Sequence, residues 1–302
     1  MMRSLYSAIS GLKNHQIKMD VIGNNIANVN TTGFKRSRVS FATALSQSLK
    51  GASSPTPNPT PPPDYLQGGT NPMQVGLGAM LGSIDQIMTP GSAQTTGNPT
   101  DMMIQGAGFF VLNNSGQTVY SRAGGFSLDS AGNLADPASG ALVQGYTYVT
   151  DADVPAFAPT SNVVIKIGDK AFSNTGLDGT LTNYSIDQNG IVTGVYTDTA
   201  AGTSTNHKIA QIAVSNFANA AGLESLGSNF YRNTNNSGAA IVGAAGTNGC
   251  GTIIPNTVEM SNVDLAQEFT DMIVTQRGFQ ANSRVITVSD TLLQELIDLK
   301  RQ

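Results

Sequence analysis

The sequence predicts an α+β multidomain protein: long N- and C-terminal helices form a coiled-coil-like terminal domain, and the central domains are mainly β. Apolar residues recur every seven positions at both ends of the 302-residue chain, a pattern typical of helices that coil around partner helices. The middle of the chain carries short apolar runs separated by turn residues, as in all-β modules. A proline-rich stretch separates the first helical pattern from the β region.

The N-terminal helical pattern covers residues 3–29. It ends at a polar run that reaches Gly33, a residue suited to a left-handed helix cap. The C-terminal helix is predicted to begin at Ser261, because Asp264 follows three residues later as in a capping box, and to run to about residue 300. Gly278 lies inside this second helix and should cost about 1 kcal/mol relative to alanine.

The apolar positions of both helices are the candidate functional residues. A strict seven-residue repeat keeps one face turned toward partner helices, so these side chains are predicted to pack against other helices, including those of other copies. The predicted self-assembly residues are Leu5, Leu12, Met19, Ile22, Ile26, Leu265, Phe269, Met272, Phe279, Ile286, Leu293 and Leu296.

The two ends also differ in charge. Residues 1–40 contain six basic residues and one acidic residue, whereas the chain from Glu259 onward contains four basic and seven acidic residues. Opposite charges on two helices favour their association and help to set their register. Two solvated helix faces with unrelated charges would produce the same counts, so both interpretations remain open at this stage.

The central region is predicted to contain two β domains. Residues 33–72 are interpreted as an extended Pro-rich connector, and residues 73–148 together with 206–259 as one β domain. Residues 149–205 are predicted to form an inserted, smaller β domain, in which Asn189 and Gly190 mark a hairpin turn. Residues 233–252 are rich in Gly, Asn and Ala and are predicted to be a loop.

Several classes of function find no support in the sequence. His15, His207 and Cys250 have no metal-ligand spacing, the single cysteine excludes an intrachain disulfide, and no hydrolase or phosphate-binding motif occurs. The net charge of −4 gives no reason to expect nucleic-acid binding. The first 30 residues do not resemble a cleaved signal peptide, and no apolar run is long enough for a transmembrane helix. We therefore expect no enzyme activity, no cofactor and no metal.

Longer motifs at both ends resemble those of bacterial flagellar rod and hook proteins. The likeness covers both termini nearly continuously, and the central β regions are similar to those of the family. The segments that carry it are 7–12, 19–28, 32–35, 106–110, 187–196, 261–265 and 276–284. Within the last segment, Gln276 to Asn282 looks like the hook form, and the additional β unit at 149–205 also fits a hook subunit.

The resemblance implies a structural subunit of the flagellar hook, a tubular flexible joint that transmits motor torque, with a distal rod protein of the basal body as the alternative. The paired terminal helices would line the inner tube, and the β domains would form its outer layers. The implied partners are copies of the same chain, the distal rod, hook cap and hook–filament junction proteins, and the flagellar type III export apparatus. The implied location is the extracellular hook and basal body, reached without a cleaved signal peptide.

Two readings from other classes remain. An exported enzyme, such as a wall hydrolase, would require a convergent cluster of titratable side chains. A surface adhesin with coiled-coil ends would require a ligand-binding site on the central β modules. The residue patterns carry no positive sign of either.

Overall fold

The computed structural model describes residues 2–57, 65–147, 163–165, 167, 179–198 and 204–301. The chain divides into two compact units. The first consists of Met1–Ile26, Ser37–Asp85 and Leu265–Gln302, and the second of Ala27–Arg36 and Gln86–Asp264. Among the described residues, no helix combines the length and the apolar character that crossing a membrane would require.

The first unit contains both long helices. Helix α1 spans Met2–Ala27 and helix α2 spans Leu265–Arg301, so at 1.5 Å per residue they are about 39 and 56 Å long. Helix α2 starts four residues after the predicted Ser261, whose hydroxyl accepts a hydrogen bond from the Val263 amide at 3.3 Å. The described strands in this part of the chain are β1 (Ser37–Thr43), β2 (Ser46–Lys50), β3 (Thr56–Pro57), β4 (Tyr65–Gln67), β5 (Met73–Gly76) and β6 (Ala79–Gln86).

These six strands form two-stranded ribbons. Strand β1 pairs with β6, β2 with β5, and β3 with β4. Most of the described part of segment 33–72, predicted as an extended connector, is therefore paired strand. Residues 58–64, which hold four of its prolines, lie outside the described residues. A two-stranded ribbon is marginally stable in water by itself, so this segment depends on packing against something else.

The second unit is β throughout its described elements apart from a short 3₁₀ turn at Ala220–Gly222. Its strands are β7 (Ala93–Thr95), β8 (Met102–Gln105), β9 (Phe109–Asn114), β10 (Gln117–Ser121), β11 (Ser127–Leu128), β12 (Leu134–Ala135), β13 (Leu142–Thr147), β14 (Val163–Val164), β15 (Gly179–Ile186), β16 (Ile191–Asp198), β17 (Ser204–Asn216), β18 (Glu224–Gly227), β19 (Phe230–Arg232), β20 (Ile241–Ala244), β21 (Thr252–Pro255) and β22 (Thr257–Glu259).

Within the described residues, twelve of these strands join in one antiparallel sheet. The 13-residue strand β17 is its centre and pairs with β9, β13, β16 and β20. Two shorter sheets, β8 with β21 and β7 with β22, complete the unit.

Both faces of the central strands are buried. Along β9, Phe110 and Leu112 belong to one hydrophobic cluster, while Phe109 and Val111 belong to another. Because successive side chains of a strand point to opposite faces, a continuous apolar run such as this one requires a cover on both sides. The second unit therefore has its own core and does not need the terminal helices to bury it.

The structure confirms the α+β class, while the coiled-coil pairing of the helices and the predicted domain boundaries stay predictions. One local expectation was wrong: the predicted loop 233–252 contains strand β20, which pairs with β17. Its small residues hid it, because Ile241 and Val242 form too short an apolar run to indicate a strand. The predicted Asn189–Gly190 turn joins β15 to β16, and Gly190 has a φ of +74°. Much of the predicted insert 149–205 lies outside the described residues.

Candidate functional site

The candidate site is the surface of α1 and α2 in the first unit. Three contacts within the described residues show how the two helices meet. A methyl group at Gly11 would lie 2.6 Å from the Asn282 amide nitrogen, and one at Gly278 would lie 2.7 Å from the His15 ring. The amide of Asn25 donates to Glu268 Oε2 at 3.2 Å.

These contacts define one antiparallel register. The facing pairs are Gly11 with Asn282, His15 with Gly278 and Asn25 with Glu268. Each step forward along α1 therefore corresponds to an equal step backward along α2. Gly11 and Gly278 each face a polar side chain of the other helix, which would have to move if the glycine carried a Cβ. The glycine inside α2, unfavourable for an isolated helix, is thus explained by the close approach of His15.

The residues on the side of α2 that faces α1 are polar and small. Glu268, Thr275 and Ser289 are buried, and Asn282 is half-buried, so one such residue occurs in every seven. Thr275 turns its hydroxyl back to the Asp271 carbonyl at 2.6 Å, which satisfies it within the helix. The seven-residue repeat that packs inside the chain is therefore not the apolar repeat on which the sequence prediction rests.

The predicted self-assembly residues flank this contact. Ile22 is buried, at 4% exposure. Half-buried side chains are those of Leu5, Leu12, Met19, Ile26, Met272, Ile286 and Leu293, and exposed ones are those of Leu265, Phe269, Phe279 and Leu296. Phe269 and Leu296 each expose half of their surface. A single copy of the chain thus leaves much of both apolar repeats uncovered.

Further exposed apolar side chains were not among the predicted residues. On the helices they include Tyr6, Ile273, Val274, Val288, Ile297 and Leu299. On the ribbons of the first unit they include Phe41, Leu45, Leu49, Met73, Val75, Leu77, Met80 and Ile84. Exposed apolar side chains in this number are candidates for an interaction surface. Phe41, Leu45 and Leu49 lie in the segment 33–72 that was predicted to be a connector, and the other five lie in the predicted β domain 73–148, where nothing in the sequence indicated that these side chains are exposed.

Asn25 joins the end of α1 to its surroundings in the first unit. Its amide nitrogen donates to the Ser37 carbonyl at 2.9 Å as well as to Glu268, and its amide oxygen accepts from the Ser37 backbone nitrogen at 3.0 Å. Asn25 is 1% exposed, so each of these bonds lies away from solvent. Three hydrogen bonds hold the buried Asn25 amide in one orientation. The bond to Glu268 also helps to set the register of α1 against α2.

His15 is expected to make the helix contact sensitive to pH. Partial burial lowers the pKa of His15 from its usual value of 6.5, and the positive charge of Lys18 lowers it further. Its buried Nδ1 has no hydrogen-bond partner among the described residues. The separated helices therefore bind a proton more readily than the paired helices, so we expect pairing to be strongest above pH 6.5 and to weaken as pH falls through the lowered pKa.

Thermal melting of the helical circular-dichroism signal at pH 7.5 and pH 5 measures this effect. His15→Gln should reduce the difference in melting temperature between the two pH values. If the variant and the unmodified chain shift equally, carboxylate groups and not His15 set the pH dependence.

A buried cluster of three charged side chains lies inside the second unit. The side chains of Lys35 and Glu259 are fully buried and that of Arg122 is 3% exposed. Lys35 Nζ lies 2.5 Å from Glu259 Oε1, and Arg122 Nη1 lies 3.3 Å from Glu259 Oε2. Burial lowers the pKa of both Lys35 and Arg122, and the Glu259 carboxylate opposes that shift in each case. Two buried cations thus depend on one anion.

Backbone groups complete the cluster. Lys35 also donates to the Thr89 carbonyl at 2.8 Å, and the Gly91 amide donates to Glu259 Oε1 at 2.9 Å. Arg122 donates to the Gly106 carbonyl at 2.8 Å. Nothing in a single sequence distinguishes these residues from ordinary surface charges, so sequence analysis missed the cluster.

The cluster lies where the chain enters and leaves the second unit. We name residues 27–36, which follow α1, the N-terminal exit segment, and residues 259–264, which precede α2, the C-terminal exit segment. The Gly33 amide donates to the Glu259 carbonyl at 2.8 Å, and the Arg36 amide donates to Asn262 Oδ1 at 2.8 Å. Together with the Lys35–Glu259 ion pair, these bonds join the two exit segments directly.

Gly33 should tolerate no side chain. Its φ is +69°, and an added Cβ would lie 2.5 Å from the Ala123 nitrogen. Gly33→Ala is therefore expected to destabilise the second unit by about 2–5 kcal/mol, since positive φ costs an L-residue about 1–2 kcal/mol and the backbone clash adds about 1–3 kcal/mol. Gly116 is the matched control, because its φ is +88° with nothing within 4 Å. Equal losses in urea unfolding for Gly33→Ala and Gly116→Ala would contradict the close packing at Gly33.

Family comparisons agree with the residue patterns. The family model described as "Flagella basal body rod protein" matches residues 5–35, "Flagellar basal body rod FlgEFG protein C-terminal" matches 254–299, and "Flagellar hook protein FlgE/F/G D1 domain" matches 103–194. The first two matches contain most of α1 and α2, the C-terminal exit segment, and the N-terminal exit segment except Arg36.

Individual relatives include both hook and rod proteins. The chain is 43% identical over 304 residues to the flagellar basal-body rod protein FlgG of Bacillus subtilis, with 100% of both chains covered. It is 32% identical over 476 residues to the flagellar hook protein FlgE of Treponema pallidum, again with 100% of both covered. It is 35% identical over 305 residues to the flagellar basal-body rod protein FlgG of Borreliella burgdorferi, with 100% of both chains covered. These hook and rod proteins are structural proteins and not enzymes. The chain therefore belongs to the family of flagellar hook and basal-body rod proteins, the structural subunits of the flagellar axis.

Proposed function

We propose that this chain is a subunit of the flagellar hook and polymerises through the apolar surfaces of α1 and α2. The observation that carries the proposal is the difference between the buried and the exposed sides of α2. Small and polar residues, Thr275 and Ser289 among them, face inward, while Phe269 and Phe279 remain exposed beside them. Covering an exposed side chain of this size contributes roughly 1.5–3 kcal/mol, so many such side chains on each copy support a polymer.

The end of α2 supports the same conclusion. In the observed register, α1 begins opposite residue 291 of α2, so the last turns of α2 extend past the described start of α1. This part of α2 exposes Leu296, Ile297 and Leu299. Exposed apolar side chains such as these support contact with helices of neighbouring copies, as expected for a tube whose inner wall consists of terminal helices.

The hook assignment has two supports. Residues 276–282 resemble the hook form, and strands β15 and β16 add a hairpin to the sheet of the second unit, as expected for the additional β unit of a hook subunit. The further partners we propose are the distal rod, hook cap and hook–filament junction proteins and the type III export apparatus. The proposed location is the extracellular hook, which the chain would reach without cleavage of a signal peptide.

A distal rod protein is the second candidate, and a specific observation favours it. Alignment with the rod relatives spans 304 and 305 residues, close to the 302 residues of this chain. Alignment with the hook relative spans 476 residues, so that protein contains additional segments. A shorter subunit with fewer outer segments is what a rod would need.

Complementation separates the two candidates. The gene is expressed in one strain that lacks its hook protein and in another that lacks its distal rod protein, and purified flagellar bases are examined by electron microscopy. Restored curved hooks only in the first strain would support the hook assignment, and restored rods only in the second would overturn it in favour of the rod. Failure of the purified chain to form tubes under any condition, with both strains unrescued, would contradict a polymerising subunit.

A further inference from the structure

We propose that the Lys35–Glu259 ion pair presets the pairing of α1 with α2 by holding together the two segments from which the helices leave the second unit. This inference concerns a positioning role. Lys35 and Glu259 do not belong to the helix surfaces that would contact other copies, and they lie in the N-terminal and C-terminal exit segments. Its consequence for polymerisation rests on the proposed function.

The ion pair connects two parts of the chain that are far apart in sequence. Lys35 and Glu259 are 224 positions apart in sequence, yet their side chains meet in the interior of the second unit. The Gly33–Glu259 and Arg36–Asn262 hydrogen bonds lie on either side of this ion pair. Asn262 also donates to the Ile87 carbonyl at 2.8 Å, so its side chain ties both exit segments to the body of the unit.

Each exit segment is joined directly to one of the two helices. The N-terminal exit segment begins where α1 ends, and the C-terminal exit segment ends where α2 begins. Inside the first unit, the contact between Asn25 and Glu268 lies within the last turn of α1 and the first turn of α2. Joined exit segments therefore leave a short connection for the helices to close, whereas separate segments leave a loop of more than 200 residues.

Joining the exit segments also lowers the entropy cost of pairing α1 with α2. Closure of a long loop costs entropy that a short connection avoids, so the joined exit segments raise the effective concentration of α1 near α2. The helix contact itself is polar and small, with few large apolar side chains to drive pairing. Because α1 and α2 attract each other only weakly, their pairing depends strongly on the joined exit segments. A copy whose helices are paired in register then presents its apolar surfaces in one arrangement to the next copy.

Arg122 provides a matched comparison. It also contacts Glu259, but its other hydrogen bonds go to Ile104 and Gly106 within the β strands and their turn. Arg122→Met removes a buried cation and keeps the connection between the exit segments. Lys35→Met removes a buried cation from the same carboxylate and also removes the ion pair between the exit segments, while the Gly33–Glu259 and Arg36–Asn262 hydrogen bonds stay in place. Each variant leaves one cation facing one anion, so the loss of charge is the same.

The experiment measures helix pairing in the monomer and polymerisation in parallel. Spin labels are attached at Lys13→Cys and Gln280→Cys, two exposed positions that the register places opposite each other, with Cys250→Ser to remove the native thiol. We expect a narrow distance distribution for the otherwise unmodified chain and for Arg122→Met, and a broad one for Lys35→Met. Because only paired copies can add to the polymer, the critical concentration should rise about tenfold for Lys35→Met alone.

The outcomes separate the two proposals. Equal broadening in Lys35→Met and Arg122→Met, or none in Lys35→Met, would overturn the positioning role. If no variant polymerises, including the unmodified chain, the proposed function fails, while the distance distributions still decide the inference. Tyrosine near-ultraviolet dichroism shows whether the second unit has folded. Should Lys35→Met not fold, Asn262→Ala removes another link between the same segments, the Arg36–Asn262 hydrogen bond, at a partly exposed side chain and is expected to broaden the distribution as well.

Discussion

Phe279→Asp is expected to abolish polymerisation while the second unit keeps its fold. Phe279 is 36% exposed beside the polar helix contact, where we propose that a neighbouring copy covers it. Full burial of a side chain of this size contributes roughly 1.5–3 kcal/mol, so covering the exposed third of Phe279 contributes roughly 0.5–1 kcal/mol, and burying a carboxylate in its place adds a larger desolvation cost. At about 1.4 kcal/mol for each factor of ten, every contact should weaken by roughly a hundredfold or more. Sedimentation of the purified variant, with electron microscopy of the pellet, measures the result.

Leu12→Asp tests the same surface from α1 and should have the same effect. Gln276→Asp is the control, because it places the same charge at an exposed polar position three residues before Phe279 on α2. If Gln276→Asp blocks assembly as strongly as Phe279→Asp, added charge on the helix and not loss of apolar contact explains the result. Tubes of normal length from Phe279→Asp or Leu12→Asp would show that these apolar positions are not the assembly surface.

Glu259→Gln is expected to destabilise the second unit by about 3–5 kcal/mol, the usual consequence of removing one partner from a buried ion pair. The physical reason is stronger here than for a simple pair, since Lys35 and Arg122 would both lose their counter-ion at once. Urea unfolding followed by tyrosine fluorescence measures the loss, and the chain contains no tryptophan to complicate the signal.

Glu224→Gln is the matched control for that experiment. Glu224 pairs with Arg232 at 2.7 Å, but both side chains are about half exposed. Exposed ion pairs contribute at most about 1 kcal/mol, so Glu224→Gln should leave the urea midpoint nearly unchanged. A Glu259→Gln midpoint as high as that of Glu224→Gln would contradict the structural role of the buried cluster.

The α+β class and the positions of both terminal helices could be predicted from the sequence, because periodicity is a local property of the chain. Seven-residue repeats place a helix at each end, and turn residues such as Asn189 and Gly190 place the strands between them. The same patterns identified the apolar residues of both helices, among them Phe279 and Leu12, as the candidate surface. The long motifs at both termini were enough to recognise the family.

Tertiary structure alone decided which side of each helix faces which neighbour. Large apolar residues predict that a helix has partners, but the close approach of Gly11 to Asn282 and of His15 to Gly278 turns the small and polar side inward. The buried Lys35–Glu259–Arg122 cluster was equally hidden, since its members are far apart in the chain and charged residues are usually exposed. A sequence pattern records what each segment prefers locally, whereas burial and register depend on segments that folding brings together from distant positions.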